Sequence, residues 1–330
     1  MTEKCVEIVT AGLLTSVQDL GRAGYAGLGV GAAGAADRPV LRLANALVGN
    51  PDGAAALEFT LNGPTLHFLS AVEIALGGAS FAADCDGHPV PMWSPVRLAA
   101  GAVLRIHAAR TGCRGYLALA GGVAVAPILG SRSQDLNAGL GPWQGRPLRT
   151  GDVLPLNTPT PSPSSPPTDA RPWALAARCW TSPQRPAVIH LLPGSHQGAL
   201  DEASSEALFS TEFHVSRLSN RVGCRLDGAT LKLQHPLELI SEGVVPGTVQ
   251  LPPGGQPIVL LCEAPVTGGY PRIGHVTHFD ASRVAQLRPG DGLRFVAISA
   301  AQARAQGVER ETAIQTTQWR IAKRRQGRWP

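Results

Sequence analysis

Residues 98–106 read Leu98-Ala-Ala-Gly-Ala-Val-Leu-Arg-Ile106, and residues 287–295 read Leu287-Arg-Pro-Gly-Asp-Gly-Leu-Arg-Phe295. Both place a Gly-centred turn after a leucine and then enter an alternating apolar run. A third copy of the turn is Leu148-Arg-Thr-Gly-Asp-Val-Leu154. Each is a strand entered through a tight Gly turn. Its recurrence in both halves predicts two related β-barrel lobes, against the alternative that one turn type is reused by chance.

The rest of the chain fits a mostly β fold. Gly 38 and Pro 28 together make a fifth of the 330 residues, which suits many turns and few helices. Short β-like runs occur at 55–60, 64–69, 72–76, 96–98, 103–107 and 115–120. In the second half they occur at 188–192, 214–218, 231–233, 238–241, 248–251, 258–262, 275–279 and 293–298. Two short helices interrupt them. Residues 37–48 carry a candidate Asp37 cap, Pro39 in the first turn and a Gly49-Asn-Pro51 stop. Residues 281–287 form the other.

Residues 155–172 read PLNTPTPSPSSPPTDARP and predict an extended linker or long loop. The expected division is a first lobe at 1–160, a linker at 161–185, a second lobe at 186–300 and a basic tail at 301–330. The formal net charge of +5 belongs to that tail, where seven basic residues face two acidic ones. Residues 1–300 therefore balance, and the charge is no argument for nucleic acid. A solvated, mobile tail is expected.

Several chemistries are absent. The lysines are Lys4, Lys232 and Lys323, and no phosphate-binding G-x-x-x-x-G-K-[ST] loop exists. There is no G-x-S-x-G elbow and no H-E-x-x-H. The six cysteines show no C-x-x-C spacing. Residues 1–10 lack the apolar core of a signal peptide, and the longest uncharged stretch is too short to span a membrane. A cytoplasmic location with reduced thiols is expected, with neither membrane nor nucleic acid as partner. On a strand, His278 and Asp280 would share a face with His275 opposite, so no metal site is expected.

Four groupings carry candidate chemistry. In Gln18-Asp-Leu-Gly-Arg22, Arg22 offers a planar fork for a carboxylate or phosphate and Asp19 orients it; alternatively Asp19 only closes a loop. Asp37, beside Gly34, is either a helix cap or part of an anion site at a helix start. Ser219-Asn-Arg-Val-Gly223 puts Asn220 and Arg221 in a tight turn, facing an anion or pairing with Glu242 or Glu263. Thr267-Gly-Gly-Tyr-Pro271 lets backbone approach a ligand at Gly268 and Gly269, with Tyr270 as a hydroxyl donor. Gln250, Gln256 and Glu242 lie on neighbouring predicted segments.

These segments, with Leu43-Ala-Asn-Ala-Leu-Val-Gly-Asn-Pro51, Arg114-Gly-Tyr-Leu-Ala118, Leu129-Gly-Ser131, Ser241-Glu-Gly-Val-Val-Pro-Gly247 and Gln250-Leu-Pro-Pro253, resemble one family over about residues 8–300. It is the family of the 5-oxoprolinase C subunit, also called biotin-dependent carboxyltransferase, allophanate hydrolase subunit 2 or kinase-inhibitor antagonist.

The resemblance implies two cyclophilin-like β-barrel lobes with a few short helices. It implies a partner B subunit of related fold, an A subunit, and a small-molecule substrate. The implied reaction opens 5-oxoproline to glutamate with ATP and magnesium bound together with the partners. On this reading Asp19, Arg22, Arg221, Glu242 and Tyr270 are catalytic. Gly34, Asp37, Asn220, Gln250, Gln256, Glu263, Thr267, Gly268 and Gly269 bind substrate.

Phosphorylating a lactam oxygen needs cationic charge near phosphate and a base to position water. Two readings stand beside this one. The first is the carboxyltransferase half of a biotin-dependent urea or allophanate-type carboxylase. The second is a non-catalytic regulator that binds a kinase inhibitor resembling the B subunit. The sequence departs from the family pattern at Glu263-Ala-Pro-Val266 and at Ser195 after Gly194, which bears on substrate and leaves the fold untouched.

Overall fold

A computed structural model describes residues 4–158, 173–176 and 185–327. The chain forms two compact units: Met1–Arg22, Asp37–Ser182 and Thr312–Pro330 make the first, and Ala23–Ala36 with Pro183–Glu311 the second. The segment Ala23–Ala36 therefore belongs with the later half of the chain. The expected linker at 161–185 lies largely outside the described residues.

The first unit holds β1 (Lys4–Thr10), β2 (Thr15–Gln18), β3 (Ala56–Thr60), β4 (Thr65–Phe68), β5 (Val72–Cys85), β6 (His88–Pro89), β7 (Pro95–Leu98), β8 (Val103–Leu119) and β9 (Val153–Leu156). The main path of its nine-stranded sheet runs β2-β3-β8-β4-β1-β9, and β5 joins β8, β7 and β6. The runs at 103–107 and 115–120 are one strand, not two. Residues 108–114 look like a turn in sequence, but they are the extra residues of bulges in β8 opposite Gly78–Ala83 of β5, and the ladder continues past them. Helix α1 (Arg38–Leu47) is capped as expected, with the Asp37 carboxylate accepting from the Val40 amide, and it buries Val40, Leu41, Leu43, Ala44 and Leu47.

The second unit holds β10 (Ala187–Pro193), β11 (Phe213–Val215), β12 (Gly223–Asp227), β13 (Glu242–Gly243), β14 (Thr248–Gln250), β15 (Ile258–Leu260), β16 (Thr267–Gly268), β17 (Arg272–Val276) and β18 (Gly292–Ala297), with helices α2 (Glu202–Ser210) and α3 (His278–Ala285). Seven strands close a barrel in the order β10-β17-β14-β15-β12-β11-β18, and β13 and β16 form a separate two-stranded sheet. Ile189, Leu191, Phe213, Leu226, Val249, Val259, Ile273 and Phe295 fill the barrel core.

Three strand readings change in this unit. Residues 231–233 and 238–241 are not strands; Leu231 is buried under the barrel and Leu233 makes one bridge to Leu200. The run 275–279 is cut at Val276, because Thr277 caps α3 by accepting from the Asp280 amide. His278 and Asp280 are therefore helical. The Asp280 carboxylate takes the His190 amide at 2.8 Å, the His190 ring at 2.7 Å and Arg283 at 2.8 Å.

The Gly turn that opens the sequence reading is one structure built three times. Gly101, Gly151 and Gly290 have φ of 85°, 88° and 88°. A positive φ at the third residue of a turn is what glycine supplies without strain. The following residue closes each turn, with the amides of Ala102, Asp152 and Asp291 donating to Ala99, Arg149 and Arg288. Each turn also exchanges two backbone hydrogen bonds with one buried apolar residue: Phe68, Ile8 and Val215. In the two Gly-Asp copies the carboxylate caps the turn, taking the Arg149 amide at 2.8 Å and the Arg288 amide at 2.9 Å. The turn thus enters β8 and β9 in one unit and β18 in the other.

The basic C-terminal segment departs from the expected mobile tail. Residues Ala300–Arg325 form helix α4. Within the first unit, Ile314, Ile321 and Arg325 bury one stripe of it. Arg325 donates to Leu47 O at 2.6 Å and to the Glu73 carboxylate at 2.8 Å and 3.2 Å. A basic run read as solvated charge instead contributes one enclosed ion pair, because its acidic partner sits 252 residues earlier in the chain.

Candidate functional site

The second unit assembles most of the expected residues. Asn220 shapes the β11–β12 turn: its Oδ1 accepts from the amides of Val222 at 2.8 Å and Gly223 at 3.2 Å. Arg221 points inward from that turn. Its Nε lies 2.6 Å from Glu263 Oε1, and its Nη2 donates to Gly34 O at 2.8 Å. The backbone joins the same pair, with Glu263 N donating to Arg221 O at 3.0 Å. The two side chains are 4% and 2% exposed, so this is a buried, hydrogen-bonded ion pair.

Beside it, Glu242 faces Gly268 and Gly243 faces Thr267 across the β13–β16 pair. Val244, Leu260 and Ala264 form a small apolar cluster linking this pair to the segment that carries Glu263. Glu242 is exposed and bonded to Arg272, whose β17 position is paired with Gln250 on β14. Gln250 is buried, and its Nε2 meets no acceptor among the described residues. A Cβ at Gly268 would stand 2.4 Å from that nitrogen, so the glycine is what leaves the amide its place. Tyr270 is half exposed just beyond. His275, opposite Thr248, is held below its ordinary pKa by burial, which favours the neutral ring.

In the first unit the acid and arginine of the 18–22 stretch do not pair with each other. Asp19 Oδ1 accepts from the Ser131 and Ser133 hydroxyls, each at 2.6 Å, and from Gly21 N at 2.8 Å; its Oδ2 accepts from Arg132 N at 2.6 Å. Arg22, 2% exposed, donates through Nη2 to Ser133 O at 2.5 Å, while its Nε and Nη1 have no partner among the described residues. Gln134 completes the cluster by accepting from Val17 N at 2.6 Å.

Two expected ligand residues have structural duties. Asp37 caps α1, and its amide donates to Tyr116 Oη, which in turn donates to Glu58 at 2.7 Å. Gln256 hangs on the 228–230 turn through Gly228 O and Thr230 Oγ1, both at 3.3 Å. Sequence reasoning missed Ser133, Gln134 and Arg272. The first two lie just beyond the quoted Leu129-Gly-Ser131, so extending that motif would have found them. Nothing local marks Arg272, because its partner lies 30 residues away.

Comparison with known proteins shows the family. The carboxyltransferase domain, subdomain A and B, matches residues 28–297. The chain is 38% identical to the C subunit of 5-oxoprolinase from Escherichia coli K12, over 96% of this chain and 98% of that one. It is 34% identical to the C subunit of 5-oxoprolinase from Haemophilus influenzae, over 90% and 93%. The structure of Kluyveromyces lactis urea carboxylase superposes with a TM-score of 0.87 at 32% identity, over 96% of this chain but only 29% of that larger one. A family-model match over residues 28–297, with relatives 34–38% identical over nine-tenths or more of both chains, establishes that the chain belongs to the carboxyltransferase subdomain A and B family.

Proposed function

We propose that this chain is the C subunit of an ATP-dependent 5-oxoprolinase and works only with its partner subunits. The observation that carries the reading is shared length as well as identity. The match spans 98% of the Escherichia coli protein of that name, against only 18% of the urea amidolyase of Lachancea kluyveri.

In this reading the second unit holds the lactam. Gln250 Nε2, which meets no acceptor among the described residues, donates to the ring carbonyl oxygen and orients it to take the phosphoryl group as ADP leaves. Gly268 and Gly269 let the ring lie against backbone, and Tyr270 adds a hydroxyl at the exposed edge. Glu242, oriented by Arg272, positions the attacking water. Arg221 and Glu263 fix the walls: their charges are spent on each other and on Gly34 O, so they are positioning residues. Among the described residues no group of three His, Cys, Asp or Glu is arranged to hold a metal ion. The reading assigns nucleotide and magnesium to the assembly with the partners.

The likeness to urea carboxylase supports a second reading, transfer of a carboxyl group from carboxybiotin, in which the Gln250 amide would face the ureido oxygen instead. Co-purified subunits decide between them. Release of glutamate and ADP from 5-oxoproline and ATP that disappears without this chain supports the first. A complex that is inactive on 5-oxoproline but carboxylates an acceptor from carboxybiotin supports the second.

A further inference from the structure

We infer that His196 is a positioning residue: its neutral ring, with the proton on Nε2, holds the backbone of Arg272 in place and through it Glu242. All of these groups belong to the second unit. This deepens the proposed function, on which the role of Glu242 rests.

Strand β17 runs past the end of its neighbour β10. Leu191 is registered with Val276, Leu192 with His275 and Pro193 with Gly274, and there the ladder stops. Proline has no N–H with which to extend it. The chain turns away at Gly194, where a Cβ would stand 2.3 Å from Arg272 O. Arg272, at the end of β17, takes its backbone partners from His196 instead. The His196 amide donates to Arg272 O at 3.0 Å, and the His196 ring accepts from Arg272 N at Nδ1, at 3.2 Å. An imidazole nitrogen therefore stands where a strand would offer a carbonyl. The helical turn at Gln197–Ala199, tied back by Gln197 N to Gly194 O at 3.2 Å, fixes the approach of the ring.

That contact sets the tautomer. A backbone amide only donates, so Nδ1 carries the lone pair and Nε2 the proton. The exposed Ser195 hydroxyl, 3.2 Å from the same nitrogen, can donate or accept and leaves this unchanged. A protonated ring would set a second N–H against the Arg272 amide, and the contact would open. A strand carbonyl has no such switch.

Arg272 carries the site beside it. Its guanidinium bonds Glu242 and reaches Gly243 O at 3.4 Å, and its backbone is registered with Gln250 on β14. Gln250 keeps a second register partner, Ile258 on β15, so releasing Arg272 disturbs Glu242 first. Between Gly194 and Leu200, His196 is the one titratable residue. On β17 the charged or titratable groups are Arg272 and His275, and β14 has none. Glu242 faces the cluster from β13, and His190 on β10 is taken up by Asp280.

The test compares two variants, with kinetics on the complex reconstituted with its partner subunits and spectroscopy on the full chain. His196→Asn puts an amide oxygen where Nδ1 stands and has no charged form. His196→Leu offers no acceptor. His196→Leu should lower kcat by about 10- to 100-fold and leave KM within about threefold, since misplacing a group that orients water falls on the chemical step. His196→Asn should keep kcat within about threefold of wild type near pH 8 and lose less of it than wild type as the pH falls towards about 5. Nitrogen NMR of labelled histidine should show His196 protonated on Nε2 and bare on Nδ1 near neutrality. Hydrogen exchange of the Arg272 amide should be slow in wild type and His196→Asn and faster in His196→Leu.

Equal losses of kcat in both variants, full activity in His196→Leu, or the opposite tautomer would overturn the inference. So would identical pH profiles in wild type and His196→Asn. Should His196→Leu fail to fold, His196→Asn and the tautomer decide the matter. A complex inactive on 5-oxoproline whose His196 still shows the Nε2 proton and still protects the Arg272 amide would keep the anchor and sink only the oxoprolinase reading.

Discussion

Arg221 Nε lies 2.6 Å from Glu263 Oε1 inside the second unit, and the donor at Nη2 reaches Gly34 O, 187 residues away in sequence. A buried pair of this kind is a poor source of net stability, since desolvation offsets most of the attraction, but breaking it is severe. Glu263→Ala should cost about 3–5 kcal/mol in denaturant unfolding of the full chain. The double variant Arg221→Met with Glu263→Leu should recover most of that loss while activity of the assembled enzyme stays low. Full activity in the stable double variant would show that the pair does not position the site.

Gly268 and Gly194 make a contrast that separates site from scaffold. A Cβ at Gly268 meets the end of the Gln250 side chain, at 2.4 Å, and that end can swing away. Gly268→Ala should fold normally and lose activity, with crystal density showing Gln250 displaced. A Cβ at Gly194 meets backbone, Arg272 O at 2.3 Å and Gly274 N at 2.5 Å, so the barrel itself must give. Gly194→Ala should destabilise by about 3 kcal/mol, the upper end for overpacking.

Helix α4 is tied to the first unit at Arg325. Removing that side chain frees the Glu73 carboxylate and Leu47 O together. Arg325→Ala should cost about 2–3 kcal/mol, less than a fully enclosed pair because Glu73 is partly solvated. Hydrogen exchange should show the protection of residues 312–325 falling first.

Acid should act through depressed carboxyl groups. Burial pushes Asp280 up, but the His190 amide and Arg283 more than offset it and hold the group below its usual range. Asp152 is lowered chiefly by the Arg146 fork, against a smaller opposing effect of burial. A group whose folded pKa is depressed contributes stability that is complete above the unfolded value, about 4, and is lost as pH falls through the folded value. Urea midpoints should therefore be flat near neutrality and fall below about pH 4. Asp280→Asn should be less stable at pH 7 and show a shallower acid limb; an unchanged limb would remove Asp280 from the account.

The legible parts of the fold were those written locally. The Gly-turn copies at 98–106, 148–154 and 287–295 announced related β units, and Asp37, Pro39 and Gly49 bounded α1 to within a residue. The misread parts are those decided at a distance. The run at 103–119 is continuous because β8 absorbs its extra residues as bulges against β5, residues 277–280 turn helical because Thr277 caps them, and Arg325 is buried because Glu73 waits for it. The candidate site divides the same way. Arg221 with Glu263, and Glu242 with Thr267 and Gly268, emerged from motifs that do meet in space. Gln256 and Asp37 fit their motifs equally well but serve a turn and a helix end. Arg272 gave no local sign at all.

The most direct test of the central claim is turnover by reconstituted subunits. This chain is combined with its B and A partners, and glutamate and ADP are followed from 5-oxoproline and ATP, with each component omitted in turn. The account predicts coupled formation of both products that vanishes when this chain is left out or replaced by Gln250→Leu. A fully assembled complex that forms neither product, or that forms both equally well without this chain, would contradict it.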